Sequence, residues 1–402
     1  MKRTLDLRTG RPVWMEHRAP RVPVQNLVRD IRCDVLVVGM GVSGAMLAEA
    51  LSAAGFGVVV IDRRGPVLGS TVASTALVQH ELDVPLTHLS RSIGRPQAEQ
   101  AWRRSRLAVA NLSARIDELA IDCAKVARPS LLLAGNVLGP GELRVEAEAR
   151  RAAGLDAEYL TAGALRDRFG LERRGAIRSS GNVALDPRKL TAGLLLRVIE
   201  RGARCYAPVE AAGIEHTRDE VTVATAAGPV IRAVHLVLAT GYELVDLVPR
   251  TKHKVVSTWV IATRPQSHLW PEQALIWEAS DPYLYLRTTH DGRIICGGED
   301  EDFSNEEARD ALIAEKSATL SKKLAALLPA IDARPELAWT GAFGTTTTGL
   351  PLIGTLPGHP RVHAVMGYGG NGITFSRIGA ELVRSELGGA TDADSELFAF
   401  RS

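Results

Sequence analysis

The sequence predicts an α/β protein of two lobes: one wound around a parallel sheet, the other an α+β lobe built on an antiparallel sheet. Three observations carry this. A strand, glycine turn, helix and strand follow one another between Cys33 and Asp62. A buried apolar run, His235 to Ala239, ends in the small residues Thr240 and Gly241. Between 254 and 300, segments alternate apolar and polar side chains, as half-buried antiparallel strands do.

The first unit reads CDVLVVGMGVSGAMLAEALSAAGFGVVVID. The apolar run Val35 to Val38 stops at Gly39, where the chain must turn tightly. Gly41 lets backbone approach a phosphate with no Cβ between them, and Gly44 lets the helix pack closely on the strands. Val42 and Ser43 lie inside that turn. Asp62 lies 18 positions after Gly44, where a carboxylate can accept hydrogen bonds from a ribose. The unit is a Rossmann-type device that holds a dinucleotide pyrophosphate on a helix N-terminus. Arg63 and Arg64 follow directly and join the cofactor-binding candidates.

The remaining elements are read in order. Residues 1–30 are polar, basic and contain proline, and read as an extended arm over the surface. The GSTVASTA stretch after Asp62 is a loop turning into a helix beside the glycine turn. Residues 97–121 are helical, with Leu107, Leu112, Ile116 and Leu119 on one face. Ser130 to Ala134 is a strand, and 143–170 alternates helical stretches with glycine breaks. Leu185-Asp186-Pro187 opens a helix to about Glu200. A strand near Cys205 and a β-meander follow, with turns at Asp219-Glu220 and Gly228-Pro229. Asp291-Gly292 marks a hairpin, and 304–328 is one helix. Finally Val362 to Met366 is a strand, followed by a glycine turn and a helix to about Leu387.

The 402 residues exceed one typical domain. With 46% hydrophobic residues, 23% charged residues and a net charge of +2, nothing favours nucleic acid or an anionic membrane as partner. Cys33, Cys123, Cys205 and Cys296 show neither a disulfide framework nor metal-ligand spacing, which suits a cytoplasmic setting and no bound metal. The N-terminus has no apolar core of a secretory signal, and no apolar run nears the length of a bilayer span.

GMGVSG, ATGYE and GYGGNGITFS occur in that order. Together they resemble the FAD-dependent D-amino-acid oxidase superfamily, nearest its glycine oxidase, sarcosine oxidase and γ-glutamylputrescine oxidase branches, over residues 31–390. The resemblance implies a discontinuous FAD-binding domain (31–95, 180–250 and 355–390), a substrate domain (96–179 and 251–354) and a tail (391–402). It implies hydride transfer from the C–N bond of an amine or amino acid to flavin, hydrolysis of the imine, and reoxidation by O2 or another acceptor. By position, Gly39, Gly41 and Gly44 hold the pyrophosphate and Asp62 the ribose. Ser70, Thr71, Ser74 and Thr75 line the pyrophosphate and flavin side. Val209 contacts adenine through its backbone, and Thr240 and Gly241 lie near the nucleotide. Gly369, Gly370, Asn371, Gly372, Ile373 and Thr374 run under the flavin ring, where a helix N-terminus favours the reduced, negative state.

Departures from the family pattern matter as much. Neither GSTVASTA nor WTGAFGTTTTGLPLIG carries the histidine or cysteine that tethers flavin in some relatives, so the expectation is non-covalent FAD. Where several relatives place a carboxylate-binding arginine, this chain has Phe343. Either the substrate lacks an α-carboxylate or another cation serves, with Arg287 the candidate. The activating lysine of sarcosine-oxidase relatives falls on Ile294-Ile295-Cys296, leaving Lys252 and Lys254 as weak substitutes.

Tyr283, Tyr285 and Arg287 alternate along one strand and so share a face. They are the catalytic candidates; the alternative is an exposed sheet face. Trp259 and Trp277 either shape a pocket or fill core. His80 and His253 are possible bases but fit structural roles better, and Cys296 fits a buried inert thiol. Two other functions stay open: a nicotinamide-dependent dehydrogenase reading its cofactor through Asp62, Arg63 and Arg64, and a flavin-binding subunit of a larger complex.

Overall fold

The computed structural model describes residues 6–243, 247–248 and 253–400. Its first sheet has the order Leu352–Leu356, His359–Met366, Val230–Leu238, Ile31–Val38, Val58–Ile61 and Arg204–Tyr206. The last five run parallel to their neighbours, and Leu352–Leu356 is antiparallel at the edge. Alternation along Ile31–Val38 explains the layers. Val35 and Val37 pack with the helices Val42–Ala53, Pro187–Glu200 and Gly372–Leu387. Leu36 points the other way, onto the antiparallel meander Ala211–His216, Val221–Thr225 and Val230–Leu238. Asp186 caps the middle helix, accepting from the N–H groups of Arg188 and Lys189.

The second sheet runs Arg8–Gly10, Pro335–Thr346, His253–Thr263, Ile294–Glu301, Leu284–Thr288, Leu275–Glu278, Val126–Leu133, Gly175–Ala184 and Leu77–Val78, with Glu158–Thr161 pairing beside Gly175–Ala184. Trp259, Leu284 and Leu286 bury one face under the helix Ile313–Leu327. The opposite face, with Val260 and Trp339, turns toward the first lobe.

Three expectations change here. The N-terminal arm is not confined to the surface: Arg8–Gly10 pairs with Trp339 to Gly341, and Val13 and Trp14 are buried. The helix at Arg95–Glu118 buries Trp102, Val109, Leu112 and Ile116, but Leu107 is exposed, because its angular position lies away from that stripe. The expected single helix at 304–328 is two, Glu306–Ala311 and Ile313–Leu327. The hairpin at Asp291-Gly292 joins Leu284–Thr288 to Ile294–Glu301. All four cysteines are free thiols; Cys123, Cys205 and Cys296 are buried and Cys33 is half-buried. Among the described residues no helix is long and apolar enough to cross a membrane.

A buried ion pair fixes the segment that crosses between the lobes. The fully buried Glu146 carboxylate accepts from the N–H groups of Leu86 and Thr87 at 2.8 and 2.9 Å, holding the start of the helix Leu86–Ile93. Arg150 donates to it at 2.8 Å and lies 4.4 Å above the Trp102 ring. Removing one member of such a pair strands the other charge away from water. Glu146→Ala is therefore expected to cost about 3–5 kcal/mol, read as a lower denaturant midpoint; a change under about 1 kcal/mol would show that the pair contributes little.

Candidate functional site

A cleft of about 1280 Å³ runs between the two sheets. At one end the Gly39 backbone has φ +123°, a region L side chains rarely adopt, and a Cβ there would overlap the Ala239 carbonyl. A Cβ on Gly44 would overlap the Gly39 carbonyl, so helix Val42–Ala53 can sit this close to the strand only with glycine. The nearest atom a Cβ on Gly41 would meet is Thr71 Oγ1 at 3.1 Å. Gly41, Val42 and Ser43 line the cleft. Gly41 caps the helix with no side-chain bond, and of the first-turn donors Val42 N–H reaches Thr71 Oγ1 at 3.0 Å. The site thus offers an anion backbone donors at a positive helix end.

Asp62 organises the neighbouring turn: its carboxylate accepts from the N–H groups of Met40 (2.8 Å), Arg64 (2.7 Å) and Gly65 (2.9 Å). A carboxylate has about four acceptor sites, which leaves room for one hydroxyl donor. Arg63 and Arg64 line the cleft, but both side chains are paired with Glu243, and Arg64 lies 2.7 Å from it through both terminal nitrogens. Val209 also lines this end; its N–H is committed to the Asp62 carbonyl at 2.9 Å, so its backbone donor is not free for a base. Ser70, Thr71, Ser74, Thr75, Thr240 and Gly241 form the walls between. The indoles of Trp14 and Trp339 hold that wall from behind, donating to the carbonyls of Ser74 (2.6 Å) and Ala73 (2.9 Å).

A second helix N-terminus enters farther along. Gly369, Gly370, Asn371, Gly372, Ile373 and Thr374 all line the cleft at the start of helix Gly372–Leu387. The side chains of Asn371 and Thr374 do not face a ligand. They donate to the carbonyls of Glu81 (2.9 Å) and Gln79 (2.8 Å) and so fasten the helix to the segment between the lobes. The same segment places Asp83, whose Oδ2 accepts from Gly370 N–H at 2.7 Å. Asp83 lines the cleft with its carboxylate open to it, and desolvation by the surrounding cleft walls raises its carboxyl pKa. The first turns of the two helices are bridged by the hydroxyls of Ser43 and Ser376, 2.6 Å apart.

The far end is aromatic. Trp277, Tyr283, Tyr285 and Phe343 line the cleft together with Val255 and Thr258, while Tyr242 and Tyr368 pack against each other beside Ser43 and the second helix start. The rings of Tyr283 and Tyr285 lie 5.5 Å apart, and burial raises both phenols. Asp300 lies beside Thr258 and Tyr283, with Oδ1 buried and lacking a hydrogen-bond partner.

Arg287 is the clear correction. It shares the face of Tyr283 and Tyr285, but it lies beyond the cleft and does not line it. Its guanidinium is buried and donates to the carbonyls of Thr288 (2.9 Å), Ala76 (2.7 Å) and Leu185 (2.9 Å). Burial lowers its pKa to about 9, still protonated at neutral pH. It is a structural brace rather than a substrate anchor. His80 is likewise buried against Asn182, 2.8 Å from its Oδ1, and Lys254 pairs with Asp302. Trp259 is core, bonded to the Arg309 carbonyl, whereas Trp277 reaches the cleft. Cys296 is buried and burial raises its thiol pKa. Lys252 and the His253 side chain lie outside the described residues. Sequence reasoning missed Asp83, Asp300, Tyr368 and Leu7 of the arm, which also lines the cleft. The position of Asp83 soon after the GSTVASTA loop, and that of Tyr368 inside GYGGNGITFS, could have signalled two of them.

Two measurements follow from this geometry. Arg287→Met leaves three buried carbonyls without their donor and is expected to cost about 2–4 kcal/mol of stability. The substrate concentration for half-maximal flavin reduction should stay within about twofold, since a tenfold change needs 1.4 kcal/mol at the substrate. Loss of substrate affinity without loss of stability would return Arg287 to the site. Burial, with Asp83 and Asp281 nearby, pushes the Asp300 carboxyl up to about 6, against the opposing effects of Thr258 and Tyr283. An unfolded aspartate titrates near 3.9, so between about pH 4 and pH 6 the folded state holds the extra proton and stability falls as pH rises. Asp300→Asn removes that dependence. Its melting temperature should therefore gain on the wild type as pH rises through this window, and a gap constant with pH would contradict the assignment.

Comparisons with known proteins give the family. Residues 34–385 match the DAO family, described as FAD dependent oxidoreductase. The gamma-glutamylputrescine oxidoreductase of Escherichia coli K12 is 26% identical over 94% of this chain and 87% of its own length. The bifunctional protein MnmC of tRNA 5-methylaminomethyl-2-thiouridine biosynthesis from Cupriavidus necator is 26% identical over 94% of this chain, which spans 60% of that longer protein. Glycine oxidase from Geobacillus kaustophilus has a TM-score of 0.73 at 20% identity, covering 92% of this chain and 99% of that one. L-proline dehydrogenase from P. horikoshii has a TM-score of 0.76 at 18% identity, covering 92% and 97%. The match favours flavin over the nicotinamide alternative, and with most of its length inside one family the chain belongs to the FAD-dependent oxidoreductases of the DAO family.

Proposed function

We propose that this chain binds FAD without a covalent bond and oxidises the C–N bond of an amine that carries no carboxylate at its reacting carbon. One observation carries the substrate reading: among the described residues, the aromatic end of the cleft holds an aspartate and no cation. Its lining cations are Arg63 and Arg64, at the nucleotide end and already paired with Glu243. An α-carboxylate there would be desolvated with no partner, which costs several kcal/mol. Phe343 lines the cleft two residues along the strand from Gly341, the partner of Thr258, and its ring suits an alkyl chain rather than an anion. The likeness to gamma-glutamylputrescine oxidoreductase points the same way. Non-covalent binding is supported by a described lining with neither cysteine nor histidine.

The residues present fit the cofactor. The two helix N-termini supply backbone donors for the pyrophosphate and for the electron-rich side of the ring, and Asp62 has one acceptor site left for the ribose. The chemistry that bound FAD would supply is acceptance of a hydride from the carbon beside nitrogen, with O2 or another acceptor to reoxidise it. The chain supplies orientation. Trp277, Tyr283, Tyr285 and Phe343 enclose the alkyl part and exclude water, while Asp83, through Oδ1, accepts a hydrogen bond from the ammonium. Its raised pKa suits it to take a proton from that ammonium, so that nitrogen reacts neutral. The imine formed hydrolyses after release to water. A reducing, cytoplasmic setting is part of this reading, supported by four unpaired thiols.

Asp83→Asn tests the ammonium contact. It keeps an acceptor for Gly370 N–H and removes the charge. The amine concentration for half-maximal anaerobic flavin reduction should rise roughly 10- to 100-fold, the worth of a buried charge-assisted contact. The flavin content of the variant should not change. Unchanged half-saturation in a variant that still holds flavin would overturn the role of Asp83.

A further inference from the structure

We propose that His17, His290 and Asp291 form a divalent-metal site of the zinc type, outside the cleft, that clips the N-terminal arm to the Asp291-Gly292 hairpin. His17 comes from the arm; His290 and Asp291 come from the turn between Leu284–Thr288 and Ile294–Glu301. The three ligand atoms lie within 4.8 Å of one another. His17 Nε2 is 3.8 Å from Asp291 Oδ1, and the two imidazole centroids are 4.5 Å apart. A tetrahedral zinc site with bonds near 2.0–2.1 Å has ligand atoms roughly 3.3 Å apart, so small side-chain rotations close the set.

A second observation points to a ligand here. His17 Nε2 is buried and has no hydrogen-bond partner, although the nearest carboxylate is within reach of a shared ion. Buried polar atoms are seldom left unmatched, and a metal would satisfy this one. The surroundings hold the ligands in place. Thr289 Oγ1 donates to Asp291 Oδ1 at 2.5 Å, Arg293 Nε donates to Oδ2 at 3.0 Å, and Arg188 holds the His17 carbonyl at 2.9 Å. Such outer contacts orient metal ligands in built sites. His290 is exposed, so the fourth position opens to solvent and would carry water. Two imidazoles and one carboxylate suit Zn2+, with Co2+ a spectroscopic substitute of similar geometry.

The site also has a structural consequence. Trp14, three residues before His17, holds the Ser74 carbonyl on the cleft wall and lies 5.3 Å from the Arg287 guanidinium. Clipping the arm would therefore steady the wall that faces the cofactor without touching it. The test uses the untagged, flavin-loaded protein, stripped with chelator and titrated with ZnCl2. The expected result is a melting temperature that rises with zinc, slower tryptic cleavage in the arm at Arg18 and Arg21, and a visible Co2+ band to the red of the flavin bands. His17→Ala and His290→Ala should each abolish all three. His290 is exposed, so His290→Ala tests the site even if His17→Ala disturbs folding. No zinc-dependent shift in the wild type, or an equal shift in His290→Ala, would overturn the proposal.

Discussion

The site depends on two helix N-termini, neither capped by its own N-cap side chain, that open onto one cleft. Helices Val42–Ala53 and Gly372–Leu387 both begin without a side-chain cap bond, at Gly41 and Asn371. Four donors at each helix start have no partner inside the helix. Asp186 and Asn305 meet the same need by capping their own helices, whereas Arg95–Glu118 and Ile313–Leu327 also begin without a side-chain cap; what sets the two cleft-facing ends apart is that they open onto one cavity. On the function proposed above, an anionic cofactor would meet the donors that these two ends turn to the cleft. The Ser43–Ser376 contact holds both helix starts in one frame, so they are positioned together.

The rest of the architecture serves that frame. The segment from Thr71 to Thr87 crosses from one lobe to the other, and side chains hold its backbone at points along its whole length. Trp14 and Trp339 hold Ser74 and Ala73; Arg287 holds Ala76; Thr374 and Asn371 hold Gln79 and Glu81; Glu146 holds Leu86 and Thr87. Because Asp83 sits in the middle of this run, its carboxylate is fixed relative to both helix ends. Orientation in such a site is set by the supporting contacts rather than by the groups that meet the ligand.

The nucleotide half was legible because its chemistry is local in sequence. Gly39, Gly41, Gly44 and Asp62 lie within one strand–turn–helix–strand unit, so spacing alone brings them together at one end of the cleft, and Gly39 and Gly44 prove to be positions where a Cβ would overlap backbone. The substrate half was not legible in the same way, because its residues meet only after the lobes close on each other. Arg287 illustrates the failure. Strand alternation placed it correctly on the face of Tyr283 and Tyr285, but nothing in the alternation shows where along the strand the cleft ends. Two residues farther on, the same face is packed against Trp14 and the Ala76 carbonyl. The arm was misread for a related reason: its short strand Arg8–Gly10 gains its partners only from Trp339 to Gly341, more than 300 residues away.

The central claim is that the aromatic end of this cleft accepts an ammonium and rejects a carboxylate. Anaerobic titration of the flavin-loaded protein with a primary amine, and separately with the α-amino acid that differs from it by one carboxylate, tests this most directly. The account predicts that the visible flavin bands bleach with the amine and hold with the amino acid at the same concentrations. Bleaching by the amino acid at equal or lower concentration would contradict it, because a carboxylate partner would then have to exist at an end of the cleft where the described residues offer none.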